Sequence, residues 1–428
     1  MRTACARFPR RFATGVLLGL TSLVVSCSQK QEEITLSISA GAAGQDLDLT
    51  VAGVARFMEE HPNIRVLVVP TPRESDGRLA YYLKLLRESS STVDVMQVDV
   101  VWIGAVAEHA LDLREFIPAE ELAQHLDLVI QNNEVDGRLV AVPWYSDMPS
   151  LYYRTDLLNK YGYSEPPKTW DELGEMAWRI QQGERIGGNL GFWGYAWQGA
   201  PYEGLTCNAL EWQLSFGGGN FIGPDGRPNL ANEGAIRAFR SAASWVGRIS
   251  PPAVLNFDED ESRLLFQRGD AAFLRNWAYA YSVLREAGDV GKNFSVAPLP
   301  GGPGGRAAAL GGWNLMVSRY SRYPGEAAEL ARYLTGRGEQ KIRALVGSYL
   351  PTLVPLYEDP EVLQAAPLFE EFKQSYAHLV RRPSTELGEK YPAVSAVYNR
   401  AVHDILSGAD PAERLKAAEA EMASGLAQ

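Results

Sequence analysis

Beginning at Ile34, the chain switches between two hydrophobic periods. Ile34-Thr-Leu-Ser-Ile-Ser-Ala40 alternates apolar and polar positions, the two-residue period of a half-buried strand. Gly41 to Gln45 reads as a turn. Leu47, Val51, Val54, Ala55 and Met58 then recur at helical spacing, and His61-Pro62 stops the run after Glu60. Ile64 to Val69 is a second strand, and strand–helix–strand order predicts parallel pairing. A helix over Arg78 to Arg87 and a third strand over Asp94 to Asp99 follow, with Trp102 just past the strand. Ligands of open α/β sheets sit outside the carboxyl ends of the strands. Gln45, Asp99 and Trp102 all lie at such ends.

Asp136-Gly137 is a hairpin-type turn, and it leads into Ala141-Val-Pro-Trp-Tyr-Ser-Asp-Met-Pro-Ser-Leu-Tyr-Tyr-Arg154. Pro143 and Pro149 frame this stretch. Proline offers no N–H to a ladder, so the strand is interrupted or edge-like there. Aromatic faces beside a carboxylate suit a polyhydroxylated ligand, with CH faces to stack and hydroxyls to bond. An ordinary strand with core aromatics and a solvated Asp147 accounts for the same pattern.

Beyond Arg154, Asp156 to Gly162 is a short helix closed by glycine. Thr169 and Glu172 form a capping box for a helix running to about Gln182. Asn189 to Gly204 is strand then loop, with Phe192 and Trp193 assigned to the core and Tyr202 and Glu203 to a loop beside a cleft. Helices are predicted over Asn208 to Phe216, Asn232 to Val246 and Glu259 to Gln267. Ala271 to Leu274 is strand-like, with Trp277 and Tyr279 beyond its end. Ser295 to Pro300 is extended, and Ala309 to Ser318 is a strand that includes Gly311-Gly312-Trp313. Helices over Pro324 to Leu334, Tyr391 to Leu406 and Ala412 to Met422 complete the chain, which has no internal repeat.

The start of the chain reads as an export signal. Arg2, Arg7, Arg10 and Arg11 form a positive region without acids, and an apolar run from Phe12 to Val25 follows, too short to span a membrane. It ends Leu23-Val-Val-Ser-Cys27, which resembles a bacterial lipobox and makes Cys27 the expected lipid-modified N-terminus. A polar tether follows. Cys5 leaves with the signal and Cys207 stands alone, so no disulfide framework is expected. Loss of the four leader arginines takes the net charge from −11 to −15. An acidic surface argues against nucleic acid and against electrostatic attachment to anionic lipid. A mature length near 400 residues normally means two domains.

Several chemistries lack their residues. His61, His109, His125, His378 and His403 are scattered, and no His or Cys cluster has metal-ligand or nucleophile spacing. The glycines of 301–305 lack the Lys-Ser/Thr ending of a phosphate loop. Asp99 and Asp147 have the residue types of a glycosidase acid–base pair, but two carboxylates that only accept hydroxyl hydrogen bonds read the same way.

One resemblance spans nearly the whole mature chain. Pro143 to Arg154, Pro166-Pro-Lys-Thr-Trp-Asp-Glu-Leu173, Phe192 to Cys207, Arg275-Asn-Trp-Ala-Tyr279, Val296-Ala-Pro-Leu-Pro300, Leu310-Gly-Gly-Trp313 and Arg382-Pro383 occur in order. Together they resemble the trehalose/maltose-binding proteins of ABC sugar importers, within extracellular solute-binding protein family 1. The resemblance implies an α/β, two-lobed periplasmic-binding-protein fold (type II), each lobe a mostly parallel sheet flanked by helices. It divides the chain into a signal over 1–26, a tether over 27–33, an N-terminal lobe of 34–141 with 296–348, and a C-terminal lobe of 142–295 with 349–428. A sugar would lie between the lobes against Gln45, Arg78, Asp99, Tyr145, Asp147, Trp277, Tyr279, Gly312, Trp313 and Arg382. Thr71 and Ser75 both match a hydroxyl near the second helix. A member of that family has Glu where this chain has Gln45, which keeps an acceptor, adds a donor and loses a charge. The implied function is capture of a disaccharide such as trehalose or maltose for a permease driven by a separate ATPase. No cofactor, metal or catalytic residue is implied, and the protein is expected to be a monomer. It would be exported and held at the cell membrane, in a periplasmic or extracytoplasmic setting, only by its lipid. Another glucoside or sugar derivative as ligand, or an exported carbohydrate-active enzyme, are the alternatives.

Overall fold

A computed structural model of the chain describes residues 33–41, 44–72 and 75–427. The expected signal, Cys27 and the tether up to residue 32 lie outside the described residues. Along the chain run β1 (Ile34–Ser39), α1 (Asp46–Glu60), β2 (Ile64–Val69), α2 (Ser75–Arg87), β3 (Val95–Asp99), β4 (Val142–Asp147) and β5 (Pro149–Arg154). They are followed by α3 (Trp170–Ile186), β6 (Trp193–Ala196), α4 (Glu203–Ser215), α5 (Glu233–Trp245), α6 (Glu259–Gln267), β7 (Ala271–Trp277), β8 (Phe294–Ala297) and β9 (Gly311–Val317). The chain finishes with α7 (Pro324–Leu334), α8 (Arg337–Gly347), α9 (Tyr391–Leu406) and α10 (Pro411–Ala427), with shorter helices between these elements.

Two sheets make two lobes. The first has strand order β2-β1-β3-β9-β4. β1 pairs parallel with β2 and β3, as the strand–helix–strand pattern requires, while β9 runs antiparallel to both β3 and β4. The second has order β8-β5-β7-β6. β4 sits at a sheet edge, where Pro143 costs no central ladder bond, and Pro149 opens β5, the position a strand tolerates best. Asp136 and Gly137 both take positive φ, 51° and 77°, in the hairpin they were expected to make.

Four local expectations shift. A division after residue 141 would give β4 to the second lobe, yet β4 pairs with β9 in the first sheet. Sheet membership changes at Met148, and again between Ala297 at the end of β8 and Gly311 at the start of β9. Glu203 opens α4 rather than lying in a loop, and Trp277 is the last residue of β7 rather than beyond it. Thr169 caps α3 by accepting from the Glu172 N–H at 3.2 Å, but the Glu172 carboxylate reaches the Lys168 N–H, one residue before the cap. The reciprocal box occurs instead at Asp258 and Glu261, where each side chain satisfies the other's backbone at the start of α6.

The second lobe's core is a chain of indoles. Trp197, Trp212 and Trp245 stand edge to face at 5.1 and 5.6 Å, and Trp170 lies 5.6 Å from Trp245. The Trp170 and Trp197 N–H groups donate to Ser215 and Ser250, which makes burial of their polar ends acceptable. Phe192 is buried there as expected, while Trp193 is half-buried under Arg185.

In the first lobe Arg343 of α8 is buried against Asp46 of α1 at 2.6 Å, donates to Thr50 at 2.7 Å, and lies 3.8 Å from the Trp144 ring. Removing one partner of a buried pair leaves the other charge uncompensated. Arg343→Met should therefore lower folding stability by about 3–5 kcal/mol in urea unfolding. A midpoint equal to the parent's would show that the pair holds nothing in place.

Candidate functional site

The site is organised by the register of β9. Trp313 lies opposite Asp99 on one side and Tyr145 on the other, and Gly311 lies opposite Asp147. Gly312 has φ +134°, and a Cβ there would stand 2.6 Å from the Tyr145 carbonyl oxygen. Only glycine fits. A Cβ on Gly311 would stand 2.8 Å from the Trp277 ring and 3.1 Å from the Asp147 Cβ. The glycine pair thus lets an indole from the second sheet lie against the edge of the first.

Asp147 ties the lobes together. One carboxylate oxygen accepts from the Met148 and Ala278 N–H groups, each at 2.9 Å, and Ala278 follows β7 of the other sheet. The second oxygen has no protein donor among the described residues. Burial pushes its pKa up to about 7, only partly offset by those two N–H groups. Asp99 accepts from the Val101 N–H at 3.1 Å and stands 3.9 Å from the Arg382 guanidinium. Burial raises it to about 6, against the pull of Arg382.

Trp277 is half-buried. Arg275 packs 4.2 Å from its ring, and its N–H donates to Glu259 at 3.2 Å. Arg275 is itself fixed by Glu211 at 2.5 Å, both fully buried, and by Gln198 at 3.0 Å. The strand therefore delivers Trp277 already oriented. Tyr279 is buried against Gly44, whose φ is +61° and where a Cβ would meet the Tyr279 ring at 2.9 Å. The Tyr279 hydroxyl is buried without a hydrogen-bond partner among the described residues. Trp313, half-buried, meets Trp102 edge to face at 5.3 Å.

Arg382 donates to Glu203 at 2.6 Å and to the Leu310 carbonyl at 2.9 Å, and its buried Nε has no partner among the described residues. Arg78 is engaged on all sides by the Pro72 and Gly41 carbonyls and Gln97, and lies 5.1 Å from Trp313. Tyr145 accepts from Gln97, which also donates to Asp46. Arg78 and Tyr145 thus shape the site through protein partners. Gln45 is half-buried, precedes α1 and makes no side-chain cap bond. Of the two hydroxyls matched near α2, that of the half-buried Ser75 is itself buried and has no hydrogen-bond partner among the described residues.

The expected residues thus gather in two groups joined by Gly311 to Trp313. Asp99, Arg382, Arg78 and Trp313 form one, and Asp147, Trp277, Tyr279, Tyr145 and Gln45 the other. Sequence reasoning missed Asp46, Arg343, Tyr349 and Glu259. Charged side chains on helices carry no signal that they face inward, and α8 buries Glu339, Gln340 and Arg343 on the face a pattern reader assigns to solvent. Among the described residues no group of three or more His, Cys, Asp or Glu is placed to hold a metal ion. Nor is any described helix long and apolar enough to cross a membrane. A groove of about 450 Å3 lies elsewhere, on the outer face of the first lobe, between Glu60, His61, Glu121, Glu329 and Arg332. It is larger than the 250 Å3 space beside Trp102 and Glu203 but is lined by no strand residue.

Comparison with known proteins matches residues 43–341 to the bacterial extracellular solute-binding protein family. A probable ABC transporter-binding protein of Deinococcus radiodurans is 44% identical over 417 residues, 97% of this chain and 98% of that one. A maltotriose-binding protein of Pyrococcus abyssi is 26% identical over 312 residues, 71% of this chain and 64% of that one. Among solved structures, maltose-bound MalE3 of T. maritima superposes with a TM-score of 0.86 at 34% identity, covering 91% of this chain and 99% of that one. The GacH receptor of Streptomyces glaucescens shares the fold, with a TM-score of 0.81 at 23% identity over 92% of this chain and 98% of its own.

Proposed function

This chain belongs to the bacterial extracellular solute-binding protein family, and on that premise we propose that it captures a disaccharide such as trehalose or maltose for an ABC importer. It is a binding protein, not an enzyme, as its relatives are. The observation that carries the sugar reading is the line Asp99–Trp313–Gly311–Asp147, two carboxylates and an indole set in register at the strand ends with Trp277 laid across it. A solved relative at 34% identity holds maltose, which supports the same ligand class.

In this reading Trp277 and Trp313 stack on sugar faces, while Asp99, Asp147 and Arg382 fix hydroxyl orientation. A site built to bond a hydroxyl rejects analogues that lack it. Gln45, neutral where a member of the family carries Glu, sets the hydroxyl pattern at one ring. The lobes close about Met148 and the segment from Ala297 to Gly311, and the closed form docks on a permease served by a separate ATPase. The protein acts as a monomer anchored through lipid on Cys27. Palmitate labelling of the wild type, lost in Cys27→Ala, is the expected sign; equal labelling of both would remove the anchor.

Calorimetry on the chain without residues 1–27 tests the ligand. Trehalose, maltose, sucrose and glucose are injected in turn, and one disaccharide should bind with micromolar or tighter affinity and without release of monosaccharide. Trp277→Ala should weaken it by about 1–3 kcal/mol. Hydroxyls that donate to a carboxylate favour its charged form, whereas burial holds Asp99 near 6 and Asp147 near 7 in the free protein. Binding therefore releases protons near neutrality, so affinity should rise between about pH 5 and about pH 8 and level off above. No heat with any of the four sugars, or full affinity in Trp277→Ala, would contradict the proposal.

A further inference from the structure

Between α2 of the first lobe and α9 of the second lies a space of about 250 Å3. Its inner wall is Trp102 and Glu203. Both touch the proposed sugar site from behind, since Trp102 meets Trp313 edge to face at 5.3 Å and Glu203 holds Arg382 at 2.6 Å. The space therefore adjoins that site across Trp102 and Glu203.

Its polar floor is closed on itself. The Glu203 carboxylate accepts from Arg382, from the Tyr391 hydroxyl at 2.5 Å and from Ser395 at 2.5 Å. Ser395 also meets Thr206 at 2.8 Å, and the Asn399 amide donates to Thr206 at 3.3 Å. A carboxylate has about four acceptor positions, and three are taken. Little is left on this floor for the several hydroxyls of another sugar ring. The remaining walls are mostly apolar, Leu79, Ala80, Leu83 and Val101 on one side and Pro392 and Ala396 on the other, with Asp76 at the start of α2 the one charged side chain among them. A cavity of roughly 150 Å3 with apolar walls accommodates a benzene ring, so this one has room for a single ring with its linkage.

We propose that this space is a subsite for an apolar ring carried by the captured sugar, so that the preferred ligand is an aryl- or alkyl-substituted glucoside rather than the bare disaccharide. The inference rests on the sugar-capture reading above. The ring would enter between α2 and α9 with the sugar held at Asp99 and Trp313, and burying it against Leu83, Trp102 and Pro392 would add affinity without new hydrogen bonds.

The test compares the tightest disaccharide of the panel with two derivatives of it, a phenyl glycoside where an anomeric carbon is free and a mono-benzyl ether at a terminal 6-hydroxyl. At least one derivative should bind about tenfold tighter or more than the parent sugar. Ala396→Phe, which fills the space from α9, should abolish that gain while parent-sugar affinity stays within about twofold. Ala80→Phe fills it from α2 and serves if the first variant does not fold. A parent sugar that binds while neither derivative gains, or a gain that survives both fillings, overturns the subsite and leaves sugar capture standing. No binding of any parent sugar overturns both.

Discussion

Gly312 must be glycine, and the site follows from that. β9 is threaded antiparallel between β3 and β4 so closely that the Tyr145 carbonyl occupies the space a Cβ would need. The same close approach puts Trp313 opposite Asp99 and Gly311 opposite Asp147, and leaves a gap into which Trp277 of the other sheet can lean. A side chain at either glycine would push the lobes apart or twist β9 out of register. Asp99, Asp147, Trp277 and Trp313, from β3, β4, β7 and β9, are thus aligned by backbone geometry.

Buried ion pairs hold that geometry. Asp46–Arg343 fixes the start of α1 beside Gln45 and, through Gln97, the Tyr145 hydroxyl. Glu211–Arg275 does the same for Trp277, with the guanidinium seated on the indole. Pairs of this kind add little to stability compared with apolar packing of equal volume. Here Glu211–Arg275 links α4 to the strand that carries Trp277, while Asp46–Arg343 links α1 to α8 and reaches Tyr145 only through Gln97, positional roles that an apolar pair would fill less selectively. Asp147 extends the logic across the lobes, since a single carboxylate oxygen accepts from Met148 and Ala278. Among the described residues the Arg382 Nε and the Tyr279 hydroxyl are buried without a hydrogen-bond partner.

Much of this was legible in the sequence because it is local. The alternating and helical periods placed β1, α1 and β2, the strand–helix–strand order gave their parallel pairing, and Pro143 marked β4 as an edge. Asp99 stood out as a carboxylate at a strand end and Asp147 as a carboxylate beside aromatic rings, whereas Gly312 and Trp313 were legible as site residues only through the family resemblance of Leu310-Gly-Gly-Trp313. The long-range part was hidden. No period shows that β4 belongs with the first sheet, because β9, its partner, lies over 160 residues away in the chain. Nor does Arg343 announce itself, since its partner Asp46 is almost three hundred residues upstream and both look like solvent charges. Glu203 was read as loop because the turn before it is rich in glycine, proline and aromatics, whereas Tyr391, Ser395 and Arg382 all donate to its carboxylate at the start of α4.

The proposed sugar lies across β9 between the two carboxylates, and a crystal structure of the protein with its tightest disaccharide would show it there. A sugar ring should stack on Trp277 or Trp313, with hydroxyls about 2.6–3.2 Å from the carboxylates of Asp99 and Asp147. A sugar seated instead in the outer groove by Glu60, His61 and Arg332, with both aspartates untouched, would contradict it.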